Sequence, residues 1–577
     1  MFTRLCVLCA SAVVLSAQPV LRTELRNGVL RALVLHAETG EMVTDDNPAI
    51  VGEKLHVMAD GMAGELNVLI GARQFPGVLT EDGHLEFDLP PEAGGSFVEI
   101  SIESADGRSN AATIPARDAE TTQQLTAAEV NGIVMTAMMS VDNPRLAVAV
   151  VDRAGRPLAI YRRPGSTDSD VEDALSLART GAFFSHNEAP LSSRTVRFIS
   201  TINFPEGIPN QPNAALYGIE NTNRGCSFNT AFLPGKAVPQ STNAPGTGPS
   251  KGITTRAGGL PLYRNGDLLI GGIGAGGVPP DVAEFVTVAA TFGSSFFVRL
   301  PVPPPGAVFI DGFRLPFVTQ TTRPAGTQAA SAPGGQYRPG EPRNGNGAPD
   351  EWLVGPLASA TMTEAEVRAM VDRLIERANR TRAVIRLPLG TRAKFVFAVT
   401  DLDGKLLALY RMPDATIFSI DVAVAKARNV VYFSGENTDP RDRLPSVTPG
   451  TAYTNRTISF TAQPFFPPGI LNSQPGPFYE LFLYDINNPC SQGRQPKNAN
   501  QNGIVFFPGA APLYKGGRMV GGLGVSGDGV EQDDYVTAAG ALGFEPSDNI
   551  RADQFLVQTP LGKVRLPYLK FPRNPEQ

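Results

Sequence analysis

The feature that most constrains this chain is a long internal repeat. Leu146–Pro164 (LAVAVVDRAGRPLAIYRRP) recurs 249 positions later as Phe395–Pro413 (FVFAVTDLDGKLLALYRMP), and the same spacing carries Arg179 onto Arg428 and Ser185 onto Ser434. Further on, Gly271-Gly272-Ile273-Gly274 pairs with Gly521-Gly522-Leu523-Gly524, and Arg314-Leu315-Pro316-Phe317 with Arg565-Leu566-Pro567-Tyr568. A register held over that length implies two copies of one domain, assigned to residues 125–317 and 362–569.

Each copy opens on a capping-box signal, Thr126 with Glu129 and Thr363 with Glu366, in which each side chain satisfies a backbone N–H at a helix start. Apolar residues then recur at helical spacing: Val130, Ile133, Val134, Ala137 and Met138, and in the second copy Val367, Met370, Val371, Leu374 and Ile375. A strand pair follows, turned at Ala154-Gly155 and at Asp403-Gly404. A second helix comes next, with Ile420, Ala423, Val424, Ala427 and Val431 on one face in the second copy. Further strands, a glycine-rich hairpin and a last helix from about Gln532 complete the order. Hairpin-linked strands with segregated helices predict an α+β domain with an antiparallel sheet and helices on one face.

Ahead of the copies, residues 27–116 alternate with period two. Leu85, Phe87 and Leu89 interleave with Glu86 and Asp88, and Val98, Ile100 and Ile102 with Glu99, Ser101 and Glu103. One apolar and one wet face predict an all-β sandwich of antiparallel strands. The segments from Asn47 to Glu53 and from Gly107 to Pro115 resemble the immunoglobulin-like modules of many exported bacterial proteins. This module carries His36, His56 and His84, whose scatter predicts surface residues and not a joint metal site.

Between the copies, residues 318–361 form a predicted linker; Thr319–Asp350 holds 5 Pro and 6 Gly and no Leu, Ile, Val or Phe. It has nothing with which to build a core and is expected to be flexible or extended. At the N-terminus, Arg4, an apolar run to Leu15 and a small-residue stop at Ala17 predict a signal peptide over residues 1–17. A secreted or periplasmic protein without a transmembrane segment is the expectation. A lipoprotein anchored at Cys9 is the alternative, disfavoured by the short apolar run before that residue.

Composition removes several classes. The net charge is −6 with no basic block, so nucleic acid is an unsuited partner. Four His and four Cys in 577 residues leave little for metal clusters or a disulfide framework. Ser, His and Asp never stand in a recognisable catalytic order, so no catalytic residues are assigned. The glycine-rich segments lack the Lys-Ser/Thr of a phosphate loop, which leaves close strand approach as their explanation. Glu531 and Asp533 lie near the start of the last helix, where its dipole favours acids.

The second copy resembles the GlcG/HbpS haem-binding family. The stretches that carry the resemblance are Val399-Thr400-Asp401-Leu402-Asp403-Gly404, Arg411-Met412-Pro413-Asp414-Ala415, Ala425-Lys426-Ala427-Arg428, Ala511-Pro512-Leu513-Tyr514, and Val520–Gly527 running into Glu531-Gln532-Asp533. The first copy departs from it, with Leu177 in place of Lys426 and Asp281, Val282 and Ala283 in place of Glu531, Gln532 and Asp533. Both copies carry insertions, about Pro205–Lys251 and Phe465–Asn502, that typical members lack. Each holds one cysteine, and the matched settings of Cys226 and Cys490 suggest a bridge between copies, with two buried thiols as the alternative.

The resemblance implies a protein that binds haem or a related small ligand, and with the signal peptide the expectation is an exported one. Ligand-binding candidates are the repeat-matched arginines Arg179 and Arg428, whose guanidinium presents paired donors to a carboxylate, the strand-end pair Arg162 and Arg411, and the strand aromatics Tyr161 and Tyr410. Candidate iron ligands in the second copy are Tyr410, Tyr432, Met412 or Tyr514, or a weak oxygen ligand, since that copy has no His; His186 of the first copy is expected in a loop. The rival readings are an interaction scaffold with degenerate repeats, and an enzyme acting on haem or a small hydroxy acid. Self-association and a cell-surface contact stay open as further partners.

Overall fold

The computed structural model describes residues 18–26, 28–71, 73–90, 93, 97–117, 124–199, 219–228, 230, 232–235, 250–298, 306–310, 313–339, 349–468, 470 and 472–576. The expected signal peptide and most of the first insertion lie outside them. The chain divides into two compact units, one made of the strands up to Arg117 and one that holds both repeat copies.

In the first unit every described regular element is a strand. Leu85–Asp88 pairs antiparallel with Lys54–Val57, and Phe97–Ser104 with Leu66–Ile70 and Ala112–Arg117. Leu55, Val57, Val68, Leu85, Phe87, Ile100 and Ile102 close one core, while Glu86 turns outward to Lys54 and His56. The antiparallel expectation fails at Ala112–Arg117, which runs parallel to both Val29–Ala32 and Ala49–Ile50. His36 also departs from its expected surface place: it is buried, with Nδ1 3.0 Å from Glu53 Oε2. No metal-holding group of His, Cys, Asp and Glu occurs among the described residues.

In the second unit the first copy runs α1 (Ala127–Ser140), β1 (Ala147–Asp152), β2 (Pro157–Arg162), α2 (Asp168–Phe184), β3 (Gly259–Arg264), β4 (Leu268–Gly276) and α3 (Pro280–Thr291). Between the copies lie β5 (Gln336–Pro339) and β6 (Glu351–Val354). The second copy runs α4 (Glu364–Arg380), β7 (Phe395–Thr400), β8 (Leu406–Arg411), α5 (Phe418–Phe433), β9 (Ala510–Lys515), β10 (Arg518–Gly527) and α6 (Val530–Gly540). Both capping boxes form, with Glu129 and Glu366 each reaching back to its N-cap N–H.

The two sheets have matching orders, β3-β4-β1-β2-β5 and β6-β8-β7-β10-β9. Every pairing in them is antiparallel. The segment expected to be a linker therefore supplies an edge strand to each sheet: β5 sets Tyr337 opposite Tyr161, and β6 sets Trp352 opposite Tyr410. Neither strand has an apolar alternation of its own; the open backbone edges of β2 and β8 recruit them.

The expected placement of helices on one face is corrected. A Cβ added at Gly522 would fall 2.2 Å from Ala427 O of α5, and one at Gly524 2.1 Å from Ala423 O. On the opposite face of β10, Leu523 packs at Gly540 of α6, against which Leu374 of α4 also lies. Alternate residues of a strand point to opposite faces, so the second copy's sheet lies between α5 on one side and α4 with α6 on the other. In the first copy Gly272, Gly274 and Gly276 likewise meet carbonyls of α2 at 2.1 to 2.2 Å. The glycine-rich strand is the surface on which a helix backbone rests directly. With the sheet beneath and other chain above, all of α5 is buried, not only its predicted face.

Candidate functional site

The repeat-matched arginines sit in the middle of these buried helices. Arg179 donates from Nε to Gly155 O at 3.2 Å and from Nη1 to Gly235 O at 3.5 Å. Arg428 donates from Nε to Gly404 O at 2.9 Å and from Nη1 to Asn502 Oδ1 at 2.9 Å. Each arginine thus anchors the glycine of the preceding hairpin turn, where positive φ (75° at Gly155, 73° at Gly404) excludes most other residues. Arg428 has a further feature: its Nη2 is buried and has no partner. Burial pushes its guanidinium down to about 10.

Asp421, two turns before Arg428 on α5, is held by both copies. Its Oδ2 accepts the backbone N–H of Asn223 at 2.7 Å, and Asn502 Nδ2 donates to its carbonyl at 3.0 Å. Burial pushes its carboxyl up to about 6, against the lowering pull of the Asn223 N–H, the Asn502 amide and Arg428.

The strand-end arginines serve their own corners. Arg162 bonds Ser166 O at 2.5 Å and Asp168 Oδ1 at 2.6 Å. Arg411 is buried, donates from Nε to Ala415 O at 2.9 Å and pairs with Asp350, whose carboxyl burial raises to about 6. Tyr410 is 1% exposed, edge-on to Trp352 at 5.2 Å and stacked on Phe397 at 6.1 Å. Tyr161 meets Tyr337 at 6.3 Å. Of the other iron candidates, Tyr432 donates its hydroxyl to Asp442 Oδ2 at 2.8 Å, and Met412 and Tyr514 are buried. The six binding candidates do not converge on one centre; they brace the hairpins and corners at equivalent places in the two copies.

Two charged clusters were not anticipated. At the junction of the copies Arg386 is fully buried and reaches Asp528 Oδ2 at 2.5 Å, Glu188 Oε2 at 2.7 Å and Asp414 Oδ2 at 3.0 Å. Arg153 of the first copy also pairs with Asp414. His186, in a loop as expected but wholly buried, stands with Nδ1 3.2 Å from Glu188 Oε2 and 3.1 Å from Ala189 N. Nearby, Phe184 stacks on Phe418 at 4.0 Å and Phe183 O accepts the Ile417 N–H at 3.1 Å. Cys226 and Cys490 form a disulfide with Cα atoms 5.5 Å apart, which ties the two insertions together.

The second cluster is a buried ion pair, Lys426 Nζ to Asp533 Oδ2 at 2.7 Å. Burial lowers the lysine and raises the acid to about 7. This corrects the helix-dipole explanation of Asp533; Glu531 likewise pairs with Lys570. Its signal was present in the repeat: two of the first copy's departures, Leu177 for Lys426 and Ala283 for Asp533, are the two halves of this one pair.

A family model for the haem degrading protein HbpS-like family matches residues 124–291 and 362–542, more than half of the chain in two stretches. The chain belongs to the HbpS-like family. Among relatives of this HbpS-like chain, the corrinoid adenosyltransferase PduO of Citrobacter freundii is 26% identical over 153 residues, which cover 26% of this chain and 33% of that protein. The chain therefore spans a third of that relative's length. An uncharacterized 15.0 kDa protein of the dhaT-dhaS intergenic region of Citrobacter freundii is 26% identical over 174 residues, 30% of this chain and 85% of that one. Among solved structures, a PduOC:heme complex is similar at 19% identity and TM-score 0.21, over 33% of this chain and 98% of that one. The Klebsiella pneumoniae protein ORFY is similar at 20% identity and TM-score 0.22, over 32% and 92%.

Proposed function

We propose that this HbpS-like protein is exported and binds a carboxylate-bearing ligand of the haem class in its second copy, with Arg428 as the carboxylate anchor. The observation that carries the reading is the buried Nη2 of Arg428, a charged donor without an acceptor. An unmet buried donor costs about 1–3 kcal/mol, more when charged, and a ligand carboxylate would remove that cost. Family membership of both copies supports the ligand class, and the Cys226–Cys490 bridge suits an oxidising compartment.

The chain suits haem at its carboxylates, and neither Tyr410 nor Tyr432 is placed to take its iron. Tyr432 already gives its hydroxyl to Asp442, and Tyr410 is enclosed by Trp352 and Phe397. When bound, haem would supply iron-centred redox chemistry; Arg428 would hold a propionate. The N-terminal strands form, on this reading, an immunoglobulin-like spacer. Among the described residues no helix is long and apolar enough to cross a membrane.

A second reading, an interaction scaffold, draws on the direct contact of the α2 and α5 backbones with glycines of β4 and β10. That contact closes one face of each sheet to a ligand. Titration of haemin into the purified chain, followed by absorbance, separates the two. A saturable Soret band that weakens at least tenfold in affinity in Arg428→Gln supports binding; no band in the wild type favours the scaffold.

A further inference from the structure

Asp421 and Arg428 are seven residues apart, two turns of α5, and so share one stripe of the helix. Asn502 joins them: its Nδ2 lies 3.3 Å from Asp421 Oδ1 while its Oδ1 accepts Arg428 Nη1 at 2.9 Å. The other oxygen of Asp421 is taken by the backbone N–H of Asn223, which comes from the first copy. Asn223 is fully buried in a left-handed conformation (φ 56°), and its amide nitrogen ties it to Phe418 O at 3.3 Å. Its Oδ1, like Arg428 Nη2, is buried and without a partner. Among the described residues the first copy shows no such arrangement: the position matching Asp421 is Glu172, which is only partly buried and accepts from Lys251 N at 3.3 Å.

We infer that Asp421 is a positioning residue for the Arg428 carboxylate site, and that the first copy completes the site by fixing Asp421 through Asn223. The inference rests on the ligand reading above and adds who builds the site and what tunes it. Asn502 holds the guanidinium by one arm, so Nη2 points to a fixed place. The ionised Asp421 carboxylate opposes an incoming carboxylate and partly cancels the arginine's charge. Protonated, it leaves that charge to the ligand. The groups that face Asp421 are Arg428 on its own helix, the Asn223 N–H from the first copy and the Asn502 amide; Arg428 also feels Asp401. A carboxyl raised to about 6 places the change within an accessible range. Ligand affinity therefore rises as pH falls through about 6, and one ligand binds per chain.

The test is the haemin affinity of the full chain from pH 5 to 8, in wild type, Asp421→Asn and Asn502→Ala. The ratio of variant to wild-type affinity at each pH cancels the titration of haemin's own carboxylates. Asp421→Asn should bind about tenfold more tightly than wild type at pH 8 and equally at pH 5, a tenfold change corresponding to about one pH unit of coupling. Asn502→Ala removes a donor from the ionised carboxylate and should move the wild-type midpoint to higher pH, which keeps the test open should Asp421→Asn not fold. Haemin binding with a flat Asp421→Asn ratio and an unmoved Asn502→Ala midpoint overturns the role of Asp421 and leaves the ligand reading standing. A wild-type chain that takes no haemin at any pH overturns both.

Discussion

Lys426 Nζ lies 2.7 Å from Asp533 Oδ2, both side chains buried, at positions where the first copy has Leu177 and Ala283. One repeat links α5 to α6 beside Gly509 with an ion pair, and the other has apolar side chains at the equivalent place beside Gly258 and Gly259. Such pairs contribute little net stability when intact, but removal of one partner strands a buried charge. Lys426→Leu alone should destabilise the chain by about 3–5 kcal/mol. Lys426→Leu with Asp533→Ala, the combination of the first copy, should recover most of that loss in urea unfolding. Equal losses in the single and double variants would contradict the exchange.

Asp485 is buried beneath the first copy's insertion, accepting from Ile504 N at 3.0 Å and Asn221 Nδ2 at 3.2 Å. Burial raises its carboxyl to about 7, above the 3.8 of the free group. The folded chain thus binds the proton more tightly than the unfolded one, so this group's contribution falls as pH rises from about 4 to about 7. Asp485→Asn should gain on the wild type between pH 4 and pH 8 by more than about 1.4 kcal/mol, the worth of a tenfold change in proton affinity. Thermal unfolding of both chains across that range checks it; parallel curves would remove the linkage.

Gly522 bears the backbone of α5. A methyl group there would meet Ala427 O at 2.2 Å, so Gly522→Ala should destabilise by about 1–3 kcal/mol or more, as overpacked cores do. Gly516, at the open hairpin turn with positive φ (56°), meets nothing within 4 Å, and Gly516→Asn should cost far less. Denaturant midpoints of the two variants test the contrast.

The Cys226–Cys490 bridge closes a separation of 264 residues. Peptide mapping without reduction should recover the two insertions as one cross-linked species, and Cys226→Ser should lower stability by about 2–4 kcal/mol. Two freely alkylated thiols in the unreduced, purified chain would remove the bridge.

Much of the scaffold was legible because repetition and capping are local signals. The 249-residue register and the Thr126/Glu129 and Thr363/Glu366 boxes each depend on residues adjacent in sequence or in one helix. What escaped was set by long-range partners. Gln336–Pro339 and Glu351–Val354 are strands because β2 and β8 have open edges, not because of their own pattern. The glycines of β10 carry no side chain that reveals which face meets a helix, so the two-sided packing was hidden. Arg386, in a loop without repeat counterpart, gave no hint of its place between the copies. The repeat-matched Arg179 and Arg428 were found from register alone, but their anchoring of the hairpin glycines needed three dimensions.

On the proposed function, Arg428 offers its free donor to a ligand carboxylate. This role is tested most directly by comparing haemin with its dimethyl ester, which keeps the iron and macrocycle and lacks the carboxylates, in absorbance titrations of the full chain at pH 7. Haemin should bind saturably and the ester at least tenfold more weakly, with the difference lost in Arg428→Gln. Equal affinities for haemin and ester in the wild type, or no binding of haemin, would contradict it.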